Sequence, residues 1–461
     1  MRVPGDQDAF AGGLARIREQ FQVPAAFPPE VVAAAEATVS KGPGPEHVDR
    51  TDVAFVTLDP ASATDLDQAF AIARDGEDVV LRYAIADVGW FVRPGDALDR
   101  EAWRRGVTIY LPDAKAPLYP PLLSERAASL LPDGPRPAVV FVVRIGVDGG
   151  AVLEGAERAV IRSRAKLAYE TVGEDDLPPD FAELSARIAR AEAARDSPRV
   201  EFPEQEVERT EGGRWQLVIR PRLPSEDRNA GMSLATNLAV AAALHAAGTG
   251  LFRVMAEPTE RAIARLRHTA RAFGLTWPAD LDLLQFQRTL PVDDRRTDAF
   301  LLAVRRASGG AAYEPFVAGA RPWHAAMAAT YAHATAPLRR LADRYVVEAA
   351  LAVANGDPVP DAVQAAFATL PEAMASGETV ANRVEGAVID LAEAVLLAGH
   401  VGDTFAGLVV DEDDRGALVQ LTDPAVLARV AASRVDPGDE VRVKVESVDV
   451  PTRSVRLVRV S

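Results

Sequence analysis

Three aspartates within nine residues, Asp59, Asp65 and Asp67, are the part of the sequence best suited to chemistry. They come just after the apolar run of residues 53–56, which predicts a buried strand. Carboxylates crowded at the end of a strand repel one another unless a cation neutralises them, and hard divalent cations prefer oxygen ligands. The spacing therefore indicates a metal site of the kind used in phosphate chemistry. An acidic, solvated turn explains the same spacing equally well.

A second candidate site is the pair of adjacent arginines, Arg339 and Arg340, which follows Pro337. The planar guanidinium group of arginine matches the geometry of phosphate oxygens. Taken alone, such a pair is more often a salt-bridged or solvated helix face. Combined with the three aspartates, it favours a site that acts on phosphates.

Composition limits the class of protein to which the chain can belong. Its 461 residues are enough for two or three domains, and the absence of cysteine excludes disulfides, thiolate nucleophiles and cysteine-ligated zinc. No stretch resembles a membrane span or a signal peptide, so we expect a cytoplasmic protein. The formal charge of −16 argues against general coating of nucleic acid but allows a local basic channel.

Hydrophobic patterning predicts three regions, and the candidate site residues must be positioned by the helices and strands of these regions. Helical patterns at residues 10–20 and 29–40 form a small N-terminal module. A β-rich stretch then gives way to longer helical patterns, one of them over residues 324–354, and the chain returns to short strands at its end. The expected fold is α/β (α+β), with a mixed sheet and surrounding helices, plus an all-β barrel. The expected domains are residues 1–48, 49–395 and 398–461.

The C-terminal region resembles an OB-fold of the S1 type, which binds single-stranded RNA. It opens with Gly-Asp-x-Phe-x-Gly at residues 402–407 and closes with Gly-Asp-x-Val-x-Val at residues 438–443. OB-folds usually stack bases on exposed aromatic side chains over a basic groove. Phe405 is the only Phe, Tyr or Trp of this region, so we expect it to bind RNA. A structural barrel with weak binding remains the alternative.

Separate motifs in a conserved order make the chain similar to the RNase II and RNase R family of exoribonucleases, whose catalytic unit is the RNB domain. The aspartates match the family spacing of Asp, five residues, Asp, one residue, Asp. The other matching segments are Ile85–Val88, Arg105–Pro112 and Tyr331–Asp343. The resemblance implies an RNB-like catalytic domain with trailing helices over residues 49–395 and an S1-type domain over residues 398–461.

The resemblance also implies an activity. Members of the family hydrolyse single-stranded RNA processively from a free 3′ end and release nucleoside 5′-monophosphates with Mg²⁺, or alternatively Mn²⁺. A metal-dependent DNA exonuclease and a non-catalytic RNA-binding relative are the alternatives. The sequence indicates neither a membrane nor an obligate protein partner.

Roles carried over from the family follow the matching positions. Asp59 and Asp65 would hold metal, and Asp67 would complete the site and help to position the attacking water. Arg339 would contact the scissile phosphate, Arg340 the adjacent backbone, and Tyr110 would stack on terminal bases. His333 and Thr335 belong to the RNA-binding bend, where we expect them to shape the chain more than to act chemically.

Departures from the family pattern concern the active site and the N-terminus. Gln68 replaces a fourth aspartate, and its amide oxygen is expected to coordinate the metal or hold a metal-bound water. Residues 229–234 lack the adjacent glutamates that the family often has there. About 50 residues precede the first motif, too few for the two cold-shock barrels of most relatives, so we expect a short form with a helical module in their place.

Overall fold

The computed structural model describes most of the chain. The described residues are 7–40, 42–195, 204–209, 215–220, 222–291, 294–307, 309–413, 416–422, 426–430 and 435–460. The helices are α1 (Gln7–Gln20), α2 (Pro29–Val39), α3 (Val88–Phe91), α4 (Ala97–Arg105), α5 (Phe181–Ala194), α6 (Pro224–Ala246), α7 (Glu260–Ala272), α8 (Leu283–Arg288), α9 (Arg295–Ala307), α10 (Leu341–Ala354), α11 (Asp361–Ala366) and α12 (Leu370–Ala398).

Strands are concentrated in the first part of the RNB-like region and at the C-terminus. They are β1 (Val48–Asp49), β2 (Phe55–Asp59), β3 (Gln68–Asp75), β4 (Asp78–Ala86), β5 (Ile109–Tyr110), β6 (Lys115–Ala116), β7 (Arg136–Ile145), β8 (Ala151–Ile161), β9 (Ser163–Ala168), β10 (Glu204–Arg209), β11 (Trp215–Arg220), β12 (Leu251–Val254), β13 (Ala312–Pro315), β14 (Thr404–Asp413), β15 (Gly416–Leu421), β16 (Leu427–Val430), β17 (Glu440–Asp449) and β18 (Ser454–Val460).

A mixed sheet in the order β1-β8-β7-β4-β3-β2-β9 positions the acidic motif. The pairs β1/β8 and β2/β9 are parallel and the other neighbours are antiparallel. β4 and β7 are apolar on both faces because helices such as α6 and α10 pack over the sheet. Since β2 ends at Asp59 and β3 begins at Gln68, the intervening loop and its aspartates lie between two neighbouring strands.

The C-terminal strands form a closed barrel in the order β14-β15-β16-β18-β17, which confirms the predicted OB-like fold. The barrel shares a hydrophobic cluster with α12 and α1. Helices at the N-terminus are likewise confirmed, but α1 and α2 bury their apolar faces in different clusters. Phe10 and Leu14 of α1 join the barrel cluster, whereas Val31 and Ala35 of α2 join the core of the sheet.

The predicted helix over residues 324–354 is wrong in its first half. The helix α10 begins at Leu341, and the chain before it is irregular apart from a short turn at Ala325–Met327. Pro337 has no N–H and disfavours helical backbone at the residue before it. The N–H groups of Thr335 and Ala336 instead donate to the side chain of Asp343, at 3.0 and 2.8 Å. The apolar periodicity of this segment therefore reflects burial of a bend.

Within the part of the chain that the structure describes, no helix is both long enough and apolar enough to cross a membrane.

Candidate active site

The acidic loop between β2 and β3 is held in place by the surrounding protein. The ammonium group of Lys166 donates to the carbonyl oxygens of Ala61 and Ala63 at 2.7 and 2.6 Å. The N–H of Leu66 donates to the hydroxyl of Ser129 at 2.9 Å. The loop is therefore anchored by protein groups although residues 60–62 form an exposed turn, and its role as a metal site stays a prediction.

Asp59, at the end of β2, carries the oxygen that best fits a cation. Its Oδ2 atom is buried, and among the described residues no donor hydrogen-bonds to it. Burial raises the pKa of Asp59 to about 6, although Arg339 and Lys166 attract the ionised form. A buried carboxylate oxygen without a partner is costly unless a positive group neutralises it.

Asp67 joins the two motifs that the sequence singled out. It is 5% exposed, and its Oδ1 accepts a hydrogen bond of 2.7 Å from the N–H of Leu338. The Nε atom of Arg339 lies 3.4 Å from its Oδ2. Burial raises the pKa of Asp67 to about 7, while Arg339 and the Leu338 N–H oppose that rise. Asp67 thus brings the acidic loop into contact with the bend that carries Arg339.

Asp65 is paired with groups on the β5–β6 hairpin. The ammonium group of Lys115 lies 2.7 Å from its Oδ1, and the hydroxyl of Tyr110 lies 3.3 Å from its Oδ2. Tyr110 is 53% exposed, which leaves ring surface available for stacking. Sequence reasoning missed Lys115. The signal that could have found it is its position five residues after Tyr110, across a tight hairpin.

The bend before α10 gives the two arginines different environments. Arg340 forms a bidentate ion pair with Asp343, with distances of 2.9 and 2.8 Å. Asp343 is fully buried and also accepts the N–H groups of the bend, so it organises this segment. The side chain of Arg339 is 47% exposed. Arg339 is therefore the more accessible of the two arginines, and a phosphate contact by either of them stays a prediction.

His333 and Thr335 lie inside the bend. The Nδ1 atom of His333 is 2.7 Å from the hydroxyl of Tyr313, and burial lowers the pKa of His333 well below its usual value. Thr335 is 1% exposed, and its hydroxyl bonds to Ser233 at 2.8 Å and Asn237 at 3.2 Å. These contacts fit a shaping role, and direct RNA binding by either residue stays a prediction.

Gln68 and Phe405 complete the set of residues chosen from the sequence. Gln68 begins β3, and both polar atoms of its amide are hydrogen-bonded to protein groups. Phe405 lies in β14 and is half-buried against the barrel cluster, with His400 at a ring distance of 5.7 Å. RNA binding by Phe405 also stays a prediction.

A cavity of about 1190 Å³ extends from this site toward α7 and α8. Its wall near the aspartates includes Gln68, Tyr169 and Arg339. Asn229, where the family often has a glutamate, lies within α6 and donates to the hydroxyl of Tyr169 at 2.7 Å. Tyr169 was missed by the sequence analysis because nothing in its local pattern distinguishes it from a core tyrosine.

The fit of a divalent cation rests on Asp59 and Asp67. Among the described residues no group of three or more His, Cys, Asp or Glu side chains is assembled as a metal site. Asp65 is turned toward Lys115. The unpartnered Oδ2 of Asp59 and the buried Asp67 nevertheless supply the hard, anionic oxygens that Mg²⁺ prefers. The donor set therefore fits such a cation in its chemistry.

Family models match two parts of the chain. Residues 47–354 match the RNB domain, and residues 403–460 match the RNase II-type exonuclease C-terminal S1 domain. The chain belongs to the RNB family. The family assignment made from the motifs is confirmed, whereas the proposed boundaries of 1–48, 49–395 and 398–461 stay predictions. RNB exoribonucleases generally depend on divalent metals, and some relatives are inactive.

Relatives of this RNB protein include enzymes and a pseudonuclease. It is 29% identical over 360 residues to ribonuclease R of Aquifex aeolicus, covering 71% of this chain and 50% of that protein. The chain spans about half the length, or less, of such curated relatives. Mycoplasma genitalium RNase R in complex with ribose-methylated single-stranded RNA has a TM-score of 0.85 at 19% identity, covering 99% of this chain and 79% of that one. Yeast Ssd1, a pseudonuclease, has a TM-score of 0.67 at 16% identity, covering 86% and 51%. Both structural likenesses show a shared fold.

Metal binding to this RNB site is expected to depend on pH. Burial raises the pKa of Asp59 to about 6 and of Asp67 to about 7, so the metal-free native state binds more protons than the unfolded chain between about pH 4 and 7. Its stability should fall as pH rises through that window.

A cation requires ionised carboxylates, so Mg²⁺ should raise the melting temperature by several degrees at pH 8 and hardly at all at pH 5. Calorimetry of wild type and Asp59→Asn checks this, because the variant should lose most of the Mg²⁺ effect. An equal Mg²⁺ effect at both pH values would contradict it.

Proposed function

We propose that this chain is a hydrolytic 3′-to-5′ exoribonuclease that degrades single-stranded RNA processively to nucleoside 5′-monophosphates. The observation that carries the proposal is the contact of Asp67 with Arg339 and with the N–H of Leu338, together with Asp59, whose Oδ2 atom is buried and whose ionised form Arg339 also attracts. Carboxylate oxygens beside a guanidinium group suit a site that binds a phosphodiester together with the water that hydrolyses it. Relatives named ribonuclease R, which share the RNB domain, support this reading.

Each residue of the site has a separate role in the proposed reaction. Asp59 and Asp67 would hold Mg²⁺, or alternatively Mn²⁺, with Asp65 joining them if Lys115 gives way. The metal, when bound, supplies Lewis-acid activation of water and neutralises charge on the leaving oxygen. Arg339 stabilises negative charge that develops on the scissile phosphate. Asp67, held by the backbone of Leu338, directs the water toward phosphorus.

Other residues of the proposed enzyme orient the strand. The exposed ring of Tyr110 stacks on a terminal base, a contact that tolerates any sequence and so suits stepwise digestion. Its hydroxyl, near Asp65, fixes the ring relative to the acidic loop. The barrel, through Phe405, binds RNA upstream of the cleaved end. The expected partner is single-stranded RNA with a free 3′ end.

Digestion of matched substrates tests the proposal. We expect purified protein with Mg²⁺ to shorten 5′-labelled, 3′-hydroxyl RNA to a short end product and to release 5′-monophosphates, while leaving DNA of the same sequence largely intact. Adding excess unlabelled RNA after the reaction starts should not interrupt strands already engaged if digestion is processive. Chromatography of the released nucleotides identifies the product.

The alternatives predict different outcomes in the same assay. Faster digestion of the DNA strand would favour a DNA exonuclease. Binding of RNA without release of nucleotides under Mg²⁺ or Mn²⁺ would favour a non-catalytic relative, and the proposed function would then be wrong.

A further inference from the structure

Gln68 follows Asp67 directly, and its side-chain amide is engaged at both ends. Its Oε1 accepts a hydrogen bond of 2.5 Å from the hydroxyl of Tyr83. Its Nε2 donates to the carbonyl oxygen of Thr335 at 2.6 Å. These two bonds fix which end of the amide points toward the bend. The end nearest the bend is a donor, and a donor nitrogen has no lone pair to offer a cation.

The bond to Thr335 ties the start of β3 to the arginine-bearing bend. Asp67 accepts the N–H of Leu338, three residues after Thr335 in the chain. Asp67, the last residue of the acidic loop, and Gln68, the first residue of β3, therefore hold the bend at two points. Arg339 comes immediately after the second point, so the placement of its guanidinium depends on both attachments.

Tyr83 lies where the sheet can support this arrangement. In the antiparallel pair of β3 and β4, Gln68 is opposite Ile85, and Tyr83 comes two residues before Ile85 in β4. Diagonal neighbours of this kind are within reach of an aromatic side chain. Tyr83 is fully buried, and its hydroxyl also has a side-chain hydrogen bond with Ser233, so the ring that supports Gln68 is itself held in place.

We infer that Gln68 and Tyr83 form a neutral positioning pair, which holds the bend of Thr335 and Arg339 against the start of β3 without supplying a metal ligand. This role differs from the metal coordination expected from the sequence, and it rests on the proposed nuclease function. A carboxylate at position 68 would set two acceptors, its own oxygen and the Thr335 carbonyl, against each other. The amide removes that repulsion and adds a bond.

A double-mutant cycle tests the pair. We expect Gln68→Met and Tyr83→Phe each to lower kcat for RNA digestion about 10- to 100-fold, because Arg339 is displaced from the reacting phosphate. The double variant should be no slower than the slower single variant, since both changes break the same connection. KM and the affinity for Mn²⁺, measured by calorimetry without RNA, should stay at wild-type values. Gln364→Met is the matched control, because the Gln364 amide also accepts a hydroxyl bond, from Thr249, but lies outside the site.

Other results would overturn the inference. If Gln68→Met weakens Mn²⁺ binding while Tyr83→Phe does not, Gln68 is a ligand. If the two losses in kcat multiply, the residues act independently. If the wild type releases no nucleotides, the proposed function fails. The pair is then tested by the melting temperatures of the wild type, the two single variants and the double variant. Non-additive destabilisation in the cycle supports the pair, and additive destabilisation contradicts it.

Discussion

Replacing Asp67 by asparagine is expected to abolish turnover while leaving RNA binding nearly intact. The change removes one of the two carboxylates proposed to hold the metal. A single preorganised electrostatic group of this kind contributes at least about a hundredfold to kcat. The amide oxygen of asparagine can still accept the N–H of Leu338, so the bend should keep its position. RNA affinity measured by fluorescence anisotropy and single-turnover digestion rates separate the two effects.

The melting temperature distinguishes this expectation from simple unfolding. Because burial raises the pKa of Asp67 to about 7, the ionised carboxylate is unfavourable in the metal-free protein at pH 8. Asp67→Asn should therefore be as stable as wild type there, or more stable. Asp148→Asn, in the turn between β7 and β8, is the matched control and should keep full activity. An Asp67→Asn protein that retained a tenth or more of wild-type turnover would remove Asp67 from the proposed mechanism.

Replacing Arg339 by alanine is expected to lower kcat by about 10²- to 10³-fold, the cost of losing one group that stabilises a developing anion. Its guanidinium also attracts the ionised form of Asp67 and so opposes the rise in that pKa. Without Arg339 the pKa of Asp67 should increase further. The acidic limb of the pH–rate profile should then move to higher pH, an effect that loss of phosphate binding alone would not cause.

Two comparisons define the result for Arg339. Arg190→Ala removes an exposed arginine of α5 that donates to the carbonyl of Val147, and it should change neither the rate nor the pH profile. Arg339→Lys should recover part of the rate, since it restores the charge without the planar fork. Wild-type digestion by Arg339→Ala would show that Arg340, despite its ion pair with Asp343, is the phosphate-binding arginine.

The fold class and the resemblance to the family both rested on local patterns in the sequence. The spacing of Asp59, Asp65 and Asp67 after an apolar strand can be recognised within a short segment of the chain. The same is true of the short strands, turns and β-branched residues of the barrel. Pro337 followed by two arginines is equally local. Such patterns persist because strand alternation and turn chemistry act over a few residues. They were sufficient for the fold class, and the match of the motifs to those of the RNB family supplied the family assignment.

Differences within these motifs could not be read in the same way. The sequence offered Arg339 and Arg340 as neighbours of one type, but the ion pair with Asp343 leaves only Arg339 half-exposed beside Asp67. By sequence, Asp65 and Asp59 are equivalent candidate metal ligands, but in the structure Asp65 forms an ion pair with Lys115. The segment of residues 324–340 has the apolar content of a helix, yet buried hydrogen bonds to Asp343 hold it as a bend.

The sequence by itself determined which residues could do chemistry, because residue type and short-range spacing select carboxylates at a strand end and a guanidinium after a proline. Only the tertiary structure decided how they act together. The hydrogen bond from Leu338 to Asp67 spans 271 positions, and the bond from Gln68 to Thr335 spans 267. Contacts at such separation arise from how the sheet and the buried bend pack, and no local periodicity encodes them. The same packing fixes both ends of the Gln68 amide between Tyr83 and Thr335.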